Sequence, residues 1–179
     1  MNAIIIYSGK YGATKQYATW LGEELEITVM PSKDIERKDL DKYDTLLLGT
    51  SVYIGKLQIA KWIKKNIDLL KGKKIFFFQV AGTPVQEKEK RQSYNLKGLP
   101  EELIDDCEFY FLPGRMIMKK LSWLDRFLLK MGSRMVKDPK EKKTMLTDYD
   151  EVKKENLEEM IASVNGYFTS RQLVAISHQ

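Results

Sequence analysis

The sequence predicts an α/β fold: a doubly wound, five-stranded parallel sheet with helices on both faces. Short apolar runs of strand length alternate along the chain with longer segments of helical periodicity. The runs at 2–7 and 44–50 are almost continuously apolar, which is typical of parallel strands buried on both faces. Five β–α units in alternation place helices on both sides of such a sheet.

The first β–α unit is the clearest in the sequence. Residues 2–7 form the first strand, and a glycine-containing loop follows over 8–14. A helix begins at Thr14, which suits the N-cap position. Its apolar side consists of Tyr17, Ala18, Leu21 and Leu25.

The other elements follow the same alternation. The remaining strands are predicted at 24–30, 44–50, 73–80 and 107–112. One helix is predicted over 57–70, and 85–97 is either a solvated helix or an irregular excursion. The last helix is predicted over about 150–168, with Thr147 or Asp148 as its cap.

Composition limits the possible chemistry. With 179 residues, 43% of them hydrophobic and 31% charged, we expect one globular domain over 1–179. The single cysteine, Cys107, and the single histidine, His178, argue against a disulfide, a metal centre and a Ser/His/Asp triad. We expect Cys107 to be inert packing and His178 to lie in a poorly ordered tail. The chemistry is therefore expected to come from a cofactor.

The beginning of the chain favours a cytoplasmic protein. The first apolar run is too short for a signal peptide and has no basic region before it. No run approaches the ~20 apolar residues that cross a membrane as a helix.

The loop after the first strand has the features of a phosphate site. Gly9 and Gly12 allow positive φ and close approach of an anion, while Ser8 and Thr14 offer hydroxyl donors. The N–H groups and the dipole of the following helix point toward the same place. Lys10 is the one side-chain cation of the loop, so a single monophosphate fits better than a triphosphate with Mg²⁺. The alternative is an ordinary βα turn whose glycines serve geometry alone.

Three loops would converge if the strand order is 2-1-3-4-5, because ligands of such sheets bind at the carboxyl ends of the strands. Besides the loop at 8–14, these are 50–55, which carries Tyr53, and 81–83, where backbone amides and Gln79 could meet the edge of a ring. Tyr53 is either a wall for a planar ring or an ordinary exposed aromatic. The combination of the three loops predicts a site for FMN.

The segment at 115–143 carries the positive charge of the protein. It holds ten Lys/Arg and three Asp/Glu, a balance of +7 against a total of +5, so the body is mildly acidic and nucleic acid is not the expected partner. Residues 115–137 contain an amphipathic helical pattern with a tryptophan. Its apolar positions are Leu121, Leu124, Leu128, Met131 and Met135, and its basic ones are Lys119, Lys120, Arg126, Lys130, Arg134 and Lys137.

Three interpretations of this insert remain open. It could lie on an anionic membrane surface, or its apolar stripe could pack against the domain with the lysines merely solvated. It could also be a lid whose cations meet the carboxylates of a substrate. Asp125 and Arg126 could form a structural ion pair.

Several motifs resemble the flavodoxin superfamily, and within it the menaquinone-dependent protoporphyrinogen IX dehydrogenases. The motifs are Ile4–Thr14, Ser51–Gly55, Glu89–Asn95, Trp123–Lys130 and Thr147–Tyr149. The resemblance implies a flavodoxin-like fold with a helical insert after the fifth strand, FMN as cofactor and no metal. It also implies removal of hydrogen from a porphyrinogen, with electrons passing through FMN to a membrane quinone. That activity would place the protein in haem biosynthesis and on the periphery of the cytoplasmic membrane.

The resemblance implies flavin contacts but no catalytic side chain. The cofactor-binding residues it implies are Ser8, Lys10, Tyr11, Gly12, Ala13, Thr14, Ser51, Val52, Tyr53, Ile54, Gly55, Ala81, Gly82 and Thr83. The alternatives are a soluble flavodoxin-type electron carrier and a flavin-free binding module. Electron carriers of the superfamily are strongly acidic, which this chain is not.

Overall fold

A computed structural model describes residues 2–135, 142 and 146–177 of the chain. Residues 136–141 and 143 of the insert lie outside this part, and they include Lys137 of the predicted basic positions. His178 also lies outside it.

A parallel sheet forms the centre of the described structure. Its strands are β1 (Ala3–Ser8), β2 (Val29–Pro31), β3 (Thr45–Tyr53), β5 (Lys74–Ala81) and β6 (Cys107–Pro113), with a short antiparallel β4 (Lys56–Leu57) paired to β3. The parallel strands follow the order β2-β1-β3-β5-β6. This confirms the predicted order 2-1-3-4-5, since β4 is an additional hairpin strand.

Helices cover both faces of the sheet. They are α1 (Ala13–Leu25) and α5 (Glu158–Ser177) on one face, and α2 (Ala60–Leu70) and α3 (Lys88–Gly98) on the other. A further helix, α4 (Trp123–Met135), belongs to the insert. Short 3₁₀ turns occupy Arg37–Lys42, Glu101–Leu103, Met118–Lys120 and Lys154–Leu157. The segment predicted as a helix or an excursion is therefore the helix α3.

Two hydrophobic clusters hold these layers together, one on each face of the sheet. On one face, side chains of α1 and α5 such as Leu21 and Met160 pack against Leu47 and Phe76. On the other face, Ile63 of α2 is part of a cluster with Leu46. Neighbouring residues of β3 thus serve opposite clusters, and both are fully buried. Strands buried on both faces explain the nearly continuous apolar runs in the sequence.

A two-stranded antiparallel ribbon forms the base of the insert. Strand β7 (Arg115–Met116) follows β6 directly and pairs with β8 (Tyr149–Asp150), with Arg115 opposite Asp150 and Met116 opposite Tyr149. The chain leaves the core through β7, forms α4, and returns through β8. The Arg115 Nε atom lies 2.9 Å from an Asp150 carboxylate oxygen, so an ion pair also joins the two strands.

Several predicted boundaries were wrong. The strand predicted at 24–30 covers only Val29–Pro31, because α1 continues to Leu25 and ends at Glu26 in a left-handed conformation. The loop predicted at 50–55 is mostly the end of β3 and the turn to β4.

The predicted helix caps were also wrong. The N-cap of α1 is Gly12 rather than Thr14, and α5 begins at Glu158, so neither Thr147 nor Asp148 caps it. The Asp148 carboxylate instead accepts a hydrogen bond from the Met118 amide within the insert, at 2.8 Å.

Candidate functional site

A cavity of about 410 Å³ lies at the carboxyl ends of β1, β3 and β5, where the three predicted loops meet. Its volume is in the range of small-molecule sites, about 300–1,000 Å³. The predicted cofactor residues that line it are Lys10, Tyr11, Ala13, Thr14, Ser51, Val52, Tyr53, Ile54, Ala81 and Gly82. The cavity lining does not include Ser8, Gly12, Gly55 or Thr83.

Two buried hydroxyl groups at this cavity have no hydrogen-bond partner in the described structure. They are Thr14 Oγ1, in the first turn of α1, and Ser51 Oγ, near the end of β3. A Cβ atom at Gly9 would lie 2.7 Å from the Thr14 hydroxyl and 3.7 Å from that of Ser51, so the loop passes both closely and needs a glycine there. Buried hydroxyls without a partner are uncommon, and these two are available to a polar ligand in the cavity.

The start of α1 adds backbone donors to the same place. Gly12 has φ +86° at the N-cap, a conformation that glycine adopts without strain, and a Cβ atom there would meet nothing within 4 Å. The first N–H groups of a helix lack intrahelical acceptors and carry a partial positive charge. These donors and the two unpaired hydroxyls fit the phosphate group of FMN.

The hairpin between β3 and β4 forms the second wall. Ile54 and Gly55 both have positive φ, at 49° and 69°, as a tight two-residue hairpin turn requires. A β-branched residue is strained in this conformation, and such strain is concentrated at functional sites. Tyr53 precedes the turn, and the Lys10 ammonium lies 4.2 Å from the centroid of its ring.

The third loop meets the cavity through Ala81 and Gly82. A Cβ atom on Gly82 would clash with the hydroxyl of Tyr149, so Tyr149 of β8 packs directly on this loop. The expected role of Gln79 at a ring edge was wrong. Its side chain is fully buried and donates hydrogen bonds to α3, at 3.0 Å to the Arg91 carbonyl and 2.6 Å to Asn95 Oδ1.

Asp125 of α4 ties the insert to two of the predicted cofactor loops. Its nearly buried carboxylate accepts hydrogen bonds from the Lys10 ammonium, at 2.7 Å, and from the hydroxyls of Tyr11 and Tyr53. The hydrogen bond to Asp125 is the main reason that the pKa of Lys10 is raised above its ordinary value. Within α4, the Asp125 amide donates to Ser122 Oγ at 3.1 Å, which is an N-cap interaction.

The sides of α4 have three different characters. Successive residues are rotated by about 100° around a helix. The side toward the domain carries Asp125, Gly132 and Ser133. The exposed sides consist of an apolar ridge (Trp123, Leu124, Phe127, Leu128, Met131 and Met135) and a basic flank (Arg126, Lys130 and Arg134).

This arrangement decides one of the three interpretations of the insert. Leu124 is 47% exposed, Met131 48% and Met135 85%, so this part of the apolar stripe does not pack against the domain. Leu121 and Leu128, by contrast, line the cavity. The packing alternative was wrong for Leu124, Met131 and Met135 of α4. The Asp125–Arg126 pair was also wrong, since Asp125 pairs with Lys10 instead.

Sequence reasoning missed much of the cavity wall. The insert and its ribbon contribute Gly114, Arg115, Met116, Leu121, Asp125, Leu128, Leu129, Gly132 and Tyr149. The only signal in the sequence was the amphipathic pattern of the insert, and this pattern does not say which side of the helix faces the cavity. Asp125 lies 115, 114 and 72 positions from Lys10, Tyr11 and Tyr53, so no local pattern connects it with these partners.

Comparison with known proteins places the chain. A sequence model of the flavodoxin domain matches residues 4–143, more than half of its length. The chain belongs to the flavodoxin domain family.

A curated relative has a more specific name. This flavodoxin-domain protein is 24% identical over 164 residues to protoporphyrinogen IX dehydrogenase (quinone) of Escherichia coli K12. The aligned region covers 85% of this chain and 91% of that protein. The protein of that name from Escherichia coli O157:H7 matches to the same extent.

Solved structures are more distant. A flavodoxin from the domain Archaea has a TM-score of 0.46 at 19% identity, covering 75% of this chain and 98% of that one. Two-electron reduced flavodoxin of Megasphaera elsdenii has a TM-score of 0.45 at 17% identity, covering 63% and 85%.

The described residues form neither a metal centre nor a membrane-spanning helix. Within the described part of the chain, no three His, Cys, Asp or Glu residues are grouped so that they could hold a metal ion. No helix in the same residues combines the length and the apolar character needed to cross a membrane.

Proposed function

We propose that this protein is an FMN-dependent oxidoreductase that passes electrons from a porphyrinogen through FMN to a quinone. The observation that carries the FMN part of the proposal is the pair of unpaired hydroxyls, Thr14 Oγ1 and Ser51 Oγ, beside the start of α1. These donors suit a phosphate group, and Tyr53 and the third loop offer walls for a planar ring. When bound, FMN would supply the chemistry of hydride and electron transfer.

The name of the curated relative supports the choice of substrates, since it refers to a porphyrinogen and a quinone. The cavity itself is mostly apolar on the side of the insert, where Met116, Leu121, Leu128 and Leu129 line it. Such a wall suits a large, flat, apolar substrate. The exposed cations of the insert, such as Lys119 and Lys120, could receive its carboxylates.

The exposed ridge of α4 supports a membrane surface as the place of reaction. Apolar side chains beside a basic flank are typical of helices that lie on anionic bilayers, where each cation contributes about 1 kcal/mol. A membrane would also be the source of the quinone. Binding to vesicles containing anionic lipid should fall with added salt and with charge reversal at Lys119, Lys120 and Arg126. Absence of binding to such vesicles at low salt would contradict this part of the proposal.

The FMN site is tested by Thr14→Val, which replaces the unpaired hydroxyl by a methyl group of similar shape. A hydrogen bond to a charged group is worth about 1.5–3 kcal/mol, so the Kd for FMN should rise roughly 10- to 150-fold. The free energy of unfolding without FMN should stay the same or increase, because the native hydroxyl has no partner. Thr19→Val, at an exposed position of the same helix, is the matched control.

Turnover separates the proposed enzyme from a soluble electron carrier. FMN-loaded protein should oxidise a porphyrinogen with a menaquinone analogue as acceptor. An FMN-loaded protein that shows no turnover, but exchanges electrons rapidly with a reductase, would be a carrier. Protein that takes up no FMN would contradict the whole proposal and favour a binding module.

A further inference from the structure

A fully buried arginine lies directly behind the third loop of the cavity. Arg91, in α3, has no exposed surface. Its Nε donates to the Thr83 carbonyl at 2.8 Å, and its Nη2 donates to the carbonyls of Ala81 and Leu112, both at 3.0 Å. Its Nη1 is buried without a partner in the described structure.

No carboxylate within the described residues forms a salt bridge with this guanidinium at 4.0 Å or less. The titratable side chains that interact with it electrostatically are Tyr17, Tyr149, Tyr94 and Glu151. Burial lowers the pKa of Arg91, but an arginine side chain stays protonated in proteins because its ordinary pKa is so high. Burial also raises the pKa values of Tyr17 and Tyr149, so both phenols stay neutral. The protein therefore keeps a positive charge inside without an ion-pair partner.

The structural contacts of Arg91 do not neutralise its charge. The three carbonyl acceptors are neutral, and burying an uncompensated cation is costly. Ala81, one of the bonded residues, lines the cavity, so the guanidinium lies one residue behind the cavity wall. The charge is thus placed where it acts on whatever negative charge forms against Ala81 and Gly82.

The proposed reaction forms such a charge. A substrate that loses a hydride transfers two electrons and one proton to the neutral flavin ring, which is left with one negative charge. We infer that Arg91 is a positioning residue that stabilises the reduced, anionic form of FMN over the oxidised form, acting through the third loop. This inference rests on the proposed function, because it takes FMN to be the ligand of the cavity.

The test compares Arg91→Met with Arg91→Lys. Direct titration gives the Kd of oxidised FMN. The difference between the midpoint potentials of bound and free FMN then gives the Kd of reduced FMN. Arg91→Met should weaken the binding of reduced FMN about tenfold more than that of oxidised FMN, and so lower the potential, whereas Arg91→Lys should retain most of the preference. Lys88→Met, at an exposed position of α3, removes an equal charge and should leave the preference unchanged.

Equal weakening of both redox forms by Arg91→Met would overturn the inference, since it would indicate a structural role alone. If that variant does not fold, the unaltered protein provides a second test. Its reduced FMN should keep the ultraviolet spectrum of the anion from pH 8 to pH 5, a range in which free reduced FMN takes up a proton. Proton uptake by the bound cofactor in the same range as by free FMN would contradict the inference. Failure of the protein to take up FMN at all would overturn this inference and the proposed function together.

Discussion

Replacing Asp125 by Asn should release α4 from the cofactor loops. The change keeps the size of the side chain but removes its charge, so the hydrogen bonds from Tyr11 and Tyr53 become neutral ones and the ion pair with Lys10 is lost. Hydrogen bonds to a charged group contribute about 1.5–3 kcal/mol each and neutral ones about 1 kcal/mol. The Lys10 side chain is 37% exposed, so its ion pair adds little. The expected cost is about 2 kcal/mol, or roughly 30-fold in the equilibrium for opening the insert.

Hydrogen exchange measures this opening directly. Amide protection in α4 should fall roughly 30-fold in Asp125→Asn, while protection in β3 and β5 should stay the same. Glu24→Gln is the control, because it removes an exposed carboxylate whose ion pair with Lys154, at 2.8 Å, lies outside the cavity lining. Unchanged protection in α4, or an equal loss throughout the sheet, would refute the reasoning. In the unaltered protein the small contribution of the Lys10 ion pair should be present below pH 10.5 and be lost as the pH rises past the raised pKa of Lys10.

Three further predictions concern single positions. Gly12→Val should weaken FMN uptake in a visible-absorbance titration while the far-ultraviolet circular dichroism is kept, because valine is strained at φ +86° and would shift the N–H groups at the start of α1. Unchanged uptake would contradict the site. Ile54→Asn should raise the free energy of unfolding, measured by urea denaturation, by about 1 kcal/mol, because asparagine tolerates the left-handed conformation better than isoleucine. A lower stability of the variant would show that Ile54 is not strained. Burial raises the pKa of Cys107 to about 12. Its thiol in the folded protein should therefore react with a disulfide reagent at pH 8 on the order of 100- to 1,000-fold more slowly than in urea. Fast labelling of the folded protein would contradict this prediction.

The sheet could be predicted because its strands are buried on both faces. Ile4, Ile5 and Ile6 are all fully buried. Successive side chains of a strand point to opposite faces of the sheet, so three consecutive apolar residues indicate a strand covered on both faces. The predicted start of the last helix failed for a different reason. Tyr149 and Asp150 pair with Arg115 and Met116, and a pairing over more than thirty positions leaves no local pattern. The cap of α1 was misplaced because glycine occupies the N-cap there without a side-chain hydrogen bond.

Part of the candidate site could likewise be predicted from the sequence, and part could not. The loops that follow β1, β3 and β5 could be located from sequence, because the strand ends and the connection rules fix where they meet. The inner wall from the insert could not, because the side of α4 that faces the cavity is partly polar and its most apolar side faces outward. The charge of Arg91 was hidden as well, since a helix rich in charged residues predicts solvent exposure rather than burial.

The β7–β8 ribbon has a consequence for how this chain can be re-engineered. Because Arg115 and Met116 pair directly with Asp150 and Tyr149, the two ends of the excursion are held side by side before α4 begins. A short turn could therefore join Met116 to Tyr149 without altering the path of the sheet or of α5. Such a shortened chain would separate what the core does by itself from what the excursion adds, and the ribbon offers a ready junction for grafting a different excursion onto the same core.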